Sequence, residues 1–265
     1  MLTPHRGPDA RRERGLTRRE FCAALSAGAT LLAGCGVTGA SGSAGEARLT
    51  ARPGTPTGSV TPGLIRLGTG DVHDGYLYVP ASYQPATPRP LVLGLHGAGR
   101  NASDPIALLT PYADAQSFLF VVVNSSDYTW DGVIDEYGAD VRYINTALQR
   151  AFDRVRVDAA RVILQGFSDG ASYALGLGVA NGDLFTRLVA HSPGFLRESD
   201  SPRRGLPEIF ISHGRSDPVL NIDSTSRQLV PALQAAGYPV TYEEFDGGHS
   251  VPPAIAQAAV DWMLR

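Results

Sequence analysis

The chain has 265 residues, a formal net charge of -3 and 43% hydrophobic residues, enough for one sizeable core and without the basic surplus that would favour nucleic acid. All 23 basic side chains are arginine, and the absence of lysine excludes Ser–Lys dyads, Schiff-base chemistry and a Walker-type phosphate loop. The two cysteines, Cys22 and Cys35, both lie near the N-terminus, so the remainder has no disulfide, thiolate nucleophile or cysteine metal site, and no metal or organic cofactor is expected.

Residues 1–20 are Arg-rich and run into Thr17-Arg18-Arg19-Glu20-Phe21, which resembles a twin-arginine export signal. The mildly apolar stretch Phe21–Gly34 is diluted by Ser26, Gly28 and Thr30; it is too short and too polar to cross a membrane and fits a signal h-region. Leu32-Ala33-Gly34-Cys35 resembles a lipobox, which implies removal of residues 1–34 and a lipid on Cys35; a plain signal peptide with a chance cysteine is the weaker alternative. The removed segment holds six arginines against Asp9, Glu13 and Glu20, a net +3, so the mature chain carries -3 minus +3, or -6. These cues imply export to the cell membrane or surface, with the lipid as the only membrane contact. Residues 35–63 are rich in Gly, Ser, Thr, Pro and Ala and lack hydrophobic periodicity. They read as a flexible tether with a reach of roughly 30 Å, or as carrying an edge strand near Val60.

The globular part is expected over residues 64–265. Gly75–Pro80 alternates and stops at a proline, as an antiparallel strand does. Pro90–Leu95 and Phe118–Val123 are short continuous apolar runs, as expected of strands buried on both faces. A helix is expected between them over 105–116. The connection 124–140 is polar and aromatic, and Val141, Ile144, Leu148, Ala151 and Phe152 then recur at helical spacing to about Val155. A strand from Val162 and a helix over 171–180 follow, then strands at Leu188–Ala190, Glu208–His213 and Val240–Phe245. Helices are expected at 223–236, with Asp223 as a cap, and at 252–264. Strands alternating with helices imply an α/β class: a doubly wound, mostly parallel sheet covered on both faces.

The most informative stretch is Val162-Ile163-Leu164-Gln165-Gly166-Phe167-Ser168-Asp169-Gly170-Ala171. Its Gly-x-Ser-x-Gly stands between a strand and a helix, the context of a nucleophile elbow. A serine hydroxyl needs a base, and the base needs an orienting acid. His249 lies in a Gly-rich loop after the last strand, which makes it the candidate base. Asp217, after the preceding strand, is the candidate acid; Asp246, three residues before His249, is its rival. The oxyanion of a tetrahedral intermediate needs donors. The backbone N–H of Asp169 is one candidate, and that of Ala98 in His96-Gly97-Ala98-Gly99 the other, with Gly97 as runner-up. His96 is expected to be structural, and His191 and His213 to support loop backbone.

Four blocks carry a family resemblance: Leu95-His96-Gly97-Ala98-Gly99, Gly166-Phe167-Ser168-Asp169-Gly170, His213-Gly214-Arg215-Ser216-Asp217-Pro218-Val219 and Gly247-Gly248-His249. They resemble the signatures of the phospholipase/carboxylesterase branch of α/β-hydrolases, and also polyhydroxybutyrate depolymerase and feruloyl-esterase-like hydrolases, from about residue 65 to 265. The resemblance implies an α/β-hydrolase fold and cleavage of a small-molecule or polymeric carboxylic ester through an acyl-enzyme. One departure is Asp169, where such esterases often carry Gln or Met; a carboxylate there would disfavour anionic substrates. No connection is long enough for a large cap, so an open cleft lined by Trp130, Tyr128 and Phe195 is expected. Two other functions fit the same residues: acyl transfer to a cell-envelope acceptor, and a non-catalytic surface lipoprotein on a hydrolase scaffold. The intact Ser–Asp–His set speaks against the latter.

Overall fold

The computed structural model describes residues 45–70 and 74–265. The expected signal segment 1–34, the lipid on Cys35 and the first part of the tether lie outside the described residues. In chain order the elements are β1 (Gly63–Arg66), β2 (Tyr76–Val79), β3 (Arg89–Leu95), α1 (Ser103–Gln116), β4 (Leu119–Val122) and the single turn α2 (Asp131–Ile134). Then come α3 (Ala139–Phe152), β5 (Val157–Phe167), α4 (Asp169–Ala180), β6 (Arg187–His191), β7 (Glu208–Gly214), a 3-10 turn at Ile222–Ser224, α5 (Ser226–Ala235), β8 (Val240–Phe245) and α6 (Pro253–Met263).

Among the described residues the strands form one eight-stranded sheet in the order β1-β2-β4-β3-β5-β6-β7-β8. The pairs β1/β2 and β2/β4 are antiparallel and the rest are parallel. The apolar runs fall in the centre because a strand covered on both faces has no solvent side to alternate with. Val92, Phe120, Ile163 and Phe210 pack on one face with Leu109 of α1 and Val260 of α6. Leu93, Val121, Leu164 and Ile211 pack on the other with α3, α4 and α5. Helix α4 is buried all round, from Asp169 to Ala180, and so shows little amphipathic pattern. The carboxyl ends of β3, β5, β7 and β8 share one edge of the sheet, where a doubly wound fold places its ligands.

The sheet corrects three expectations. Residues 45–63 are not a free tether in this structure. Ala47, Leu49 and Ala51 are buried, and two asparagines read the backbone in place of a partner strand. Asn181 Nδ2 donates to the Ala47 carbonyl at 2.6 Å, and its Oδ1 accepts from the Leu49 amide at 2.8 Å. Asn145 Oδ1 accepts from the amides of Thr50 and Ala51, and Arg48 and Arg52 both pair with Asp183. The edge strand starts at Gly63 rather than near Val60. Asp223 is not the helix cap: the Asn221 side chain accepts from the Asp223 amide at 2.9 Å, and the Asp223 carboxylate pairs with Arg227 at 2.6 Å.

Candidate active site

Strand β5 ends at Phe167 and α4 begins at Asp169, which leaves Ser168 alone to reverse the chain. It does so at φ 57° and ψ -121°, a region a serine adopts at a cost on the order of 1–3 kcal/mol. The surroundings hold it there. Its amide donates to the His191 carbonyl at 2.9 Å, and its own carbonyl accepts from Ala171 and Ser172. A side chain at 166 would run into the Gly170 carbonyl, and one at 170 into the His96 carbonyl. The two motif glycines are therefore needed by close backbone approach on both sides of the serine.

The loops after β7 and β8 bring two distant side chains to this point. His249 Nε2 lies 2.8 Å from Ser168 Oγ, and its Nδ1 lies 2.6 Å from Asp217 Oδ2. A carboxylate only accepts, so Nδ1 carries the proton and Nε2 faces the hydroxyl as an acceptor. The other Asp217 oxygen accepts from the amides of Val219 and Leu220 at 2.8 and 2.9 Å. Burial alone would raise the Asp217 carboxyl; the Leu220 and Val219 amides and the bond to His249 outweigh it and hold the group below its ordinary value. The rival Asp246 is exposed and paired with Arg215 at 2.6 Å, away from the imidazole. The Phe167 ring lies against that of His249, with centroids 4.7 Å apart.

Of the other described histidines, His213 touches the Asp217 carboxylate and His96 and His191 stand apart from the three. His213 Nε2 lies 2.8 Å from the Leu220 carbonyl and 3.2 Å from Asp217 Oδ2, and its Nδ1 lies 2.7 Å from Ser226 Oγ. His96 Nδ1 lies 2.8 Å from the Gly97 carbonyl, and its Nε2 accepts from the Ser125 amide. His191 differs from expectation: among the described residues its ring bonds no loop backbone but Ser212 Oγ, at 2.7 Å through Nδ1, and its buried Nε2 has no partner. Burial pushes this imidazole down from 6.5 to about 4. An imidazole neutral when folded but protonated when unfolded draws the chain toward unfolding as pH falls from about 6.5 to about 4. Over that window His191 is expected to remove on the order of 3 kcal/mol of stability. His191→Asn, which keeps a partner for Ser212, should flatten the pH dependence of urea unfolding between neutral pH and pH 4; an unchanged slope would contradict the assignment.

The oxyanion candidates flank the serine. Asp169 is the first residue of α4, where an amide has no acceptor within its own helix. Across from it the 97–99 loop passes close: a side chain at Gly97 would lie 3.3 Å from Ser168 Cβ, and half-buried Ala98 follows. The loop is fastened by the Gly99 amide, which donates to the Tyr128 carbonyl at 2.7 Å.

The aromatic residues expected to line the cleft behave differently from one another. Trp130 is fully buried, so it lines no cleft. Its Nε1 donates to the His96 carbonyl at 2.8 Å, and its ring packs between His96 and Tyr173. Tyr128 is exposed and leans on Gly99, and Phe195 is half-buried in the loop after β6. Trp130 turns inward because the 124–140 connection is folded on two acids that sequence reasoning passed over. Asp140 accepts from the amides of Ser126 and Asp131. Asp131 accepts from the amides of Gly138 and Asp140 and from the Tyr173 hydroxyl. Asp131-Gly132 was the available signal, since Asp beside Gly favours side-chain-to-backbone turns; Asp140, separated from Gly138 by Ala139, left none.

Thr129 also went unremarked. Its hydroxyl donates to Asp169 Oδ2 at 2.7 Å. Burial raises the Asp169 carboxyl, and the Thr129 bond and the charge of His249 pull it back only in part. Rejection of an anionic ester should therefore strengthen as pH rises through the Asp169 titration. At high pH, Asp169→Asn is expected to narrow the kcat/KM ratio of p-nitrophenyl acetate to p-nitrophenyl hemisuccinate by about tenfold. Two unit charges about 10 Å apart at an effective dielectric of about 20 give a repulsion of roughly that size. A ratio identical in both proteins across pH would overturn this role.

Two hollows lie near the site. One of about 560 Å³ opens between Tyr76, Asn101 and Asp127 and does not reach Ser168. The other, of about 260 Å³, does not include Ser168 in its lining either but is bordered by its neighbours Phe167, Gly97 and His249.

Residues 135–263 match the phospholipase/carboxylesterase family. Feruloyl esterase C of Emericella nidulans is 27% identical over 209 residues, covering 67% of this chain and 76% of that protein. Among solved structures, S-formylglutathione hydrolase from Staphylococcus aureus superposes with a TM-score of 0.63 at 18% identity, over 80% of this chain and 99% of that one. The Bacillus cereus carboxylesterase superposes with a TM-score of 0.58 at 19% identity, over 74% and 96%. The fold is that of the α/β-hydrolases.

Proposed function

We propose that this chain, an α/β-hydrolase enzyme of the serine carboxylesterase kind, cleaves small neutral carboxylic esters through an acyl-enzyme on Ser168. The observation that carries the proposal is the continuous line of hydrogen bonds from Asp217 through His249 to Ser168 Oγ. In the proposed reaction Ser168 Oγ attacks the ester carbonyl while His249 Nε2 takes the hydroxyl proton. Asp217 keeps the imidazole in the accepting tautomer and stabilises the imidazolium. The backbone amides of Asp169 and Ala98 hold the oxyanion, whose charge the start of α4 also favours. As the tetrahedral adduct collapses, the ester C–O bond breaks and His249 returns the proton to the departing alcohol oxygen. Water then adds to the acyl-enzyme by the same route in reverse roles, giving the free acid and restoring the hydroxyl.

The name of the Emericella nidulans relative supports including feruloyl esters among the substrates. The purified chain should hydrolyse p-nitrophenyl acetate or butyrate, and a panel that adds methyl ferulate and a short polyester would define the acyl range. A folded, pure protein inactive on every member would defeat the proposal. Export and anchoring through Cys35 belong to it as well, supported by the arginine pair and the Leu32–Cys35 block. The native protein should then partition with membranes, and Cys35→Ser should release it; a soluble native protein would contradict the anchor.

A further inference from the structure

Gln165 sits in mid-strand at the centre of the sheet, between Gly94 of β3 and Val189 of β6. Two residues earlier Ile163 belongs to the apolar cluster under α1 and α6, and the same face should continue apolar. Instead it carries a carboxamide only 5% exposed, whose side chain makes no hydrogen bond among the described residues. Its polar atoms are not sealed off, so their partner is whatever occupies the space they face, and an occupant that drove water out without replacing its hydrogen bonds would cost about 1–3 kcal/mol.

That space is the 260 Å³ cavity beside His249. Gln165 borders it together with Pro105 and Leu108 of α1 and Val251 ahead of α6. Gly94 helps keep it open: a side chain there would press against Pro105 Cβ at 3.0 Å. Arg100 and Asp104 also border it, but they pair with each other at 3.5 Å and offer no unbalanced charge. The volume suits roughly eight water-sized groups at ~30 Å³ each. The cavity is therefore mostly apolar and neutral, and the Gln165 carboxamide offers it an unspent donor and acceptor from the sheet.

The direction of proton transfer says which half of an ester belongs here. His249 hands its proton to the departing oxygen, so the alcohol leaves along the side that His249 borders. We infer that this cavity receives the alcohol part of the ester and that Gln165 hydrogen-bonds a hydroxyl on it, selecting esters of small, neutral, hydroxylated alcohols over alkyl esters of the same shape. This rests on the Ser168–His249–Asp217 reading above.

The test compares kcat/KM for 2,3-dihydroxypropyl acetate with that for 2-methylbutyl acetate, which has the same branching with methyl groups in place of hydroxyls. The wild type should prefer the diol by about tenfold or more, because a buried polar group left unpaired rejects the apolar analogue. Gln165→Met, apolar and of similar volume, should lose that preference. The ratio is internal to each protein, so a general loss of activity does not obscure it. Leu108→Trp, which fills the cavity, should steepen the fall in rate from ethyl to 2-methylbutyl acetate relative to wild type, with no steeper dependence on acyl length across ethyl esters. An equal preference in wild type and Gln165→Met would overturn the inference by showing that water alone satisfies the carboxamide. A Leu108→Trp effect that tracks acyl length would overturn it by assigning the cavity to the acid half. Either result leaves the serine mechanism standing, which is tested separately by the turnover of Ser168→Ala.

Discussion

Ser168→Ala is expected to lower kcat for p-nitrophenyl acetate by on the order of 10⁶-fold, the scale on which a serine hydrolase loses its nucleophile, while the fold is retained. Among the described residues Oγ makes its hydrogen bond to His249 Nε2 alone. The bonds that shape the elbow run through the Ser168 backbone, whose amide meets the His191 carbonyl and whose carbonyl meets Ala171 and Ser172. Alanine keeps all of them and removes the one atom that can bond to the acyl carbon. The amides of Asp169 and Ala98 remain, so a residual rate above water would persist through oxyanion stabilisation. Turnover within tenfold of wild type, with near-native thermal melting, would remove Ser168 from the mechanism.

The second large effect comes from a change of one heavy atom. Asp217→Asn should reduce kcat by roughly 10⁴-fold near neutral pH. Oδ1 accepts from the Val219 and Leu220 amides, so an asparagine must keep its carbonyl oxygen there. Its amide nitrogen then falls where Oδ2 was, 2.6 Å from His249 Nδ1 and 3.2 Å from His213 Nε2. The asparagine N–H donates to His249 Nδ1, the ring proton moves to Nε2, and the group facing Ser168 becomes a donor that takes no proton. The side chain is also set against His213, which already directs its Nε2–H toward the Leu220 carbonyl. An activity loss below tenfold would show that the carboxylate does not set the tautomer.

The fold, and the three side chains that the structure joins by hydrogen bonds, Ser168, His249 and Asp217, were legible because each leaves a local mark. The stretches Leu91–Leu95, Leu119–Val122 and Val162–Leu164 of β3, β4 and β5 are short apolar runs, the glycines at 166 and 170 announce a reversal, and chain order separates Asp217 from Asp246 and His249 from its rivals. What escaped depends on partners far away in sequence. The small residues of 45–63 resemble a linker until Asn181 and Asn145, more than 90 positions on, bind their backbone. Trp130 resembles a cleft aromatic until Asp131 and Asp140 fold its loop inward. Asp223 has the right chemistry to cap a helix, but it lies inside a 3-10 turn that Asn221 caps, and Arg227 takes its carboxylate. Gln165 resembles any residue before a motif glycine; its interest arises only from the cavity that Leu108 and Val251 enclose above it.

The most direct measurement is covalent capture. Incubation with a fluorophosphonate probe followed by peptide mass analysis should place one adduct on Ser168, at a rate that falls sharply in His249→Ala because the hydroxyl has lost its base. A folded protein that acquires no label at Ser168, or that labels as fast without the imidazole as with it, would contradict a nucleophile activated by His249.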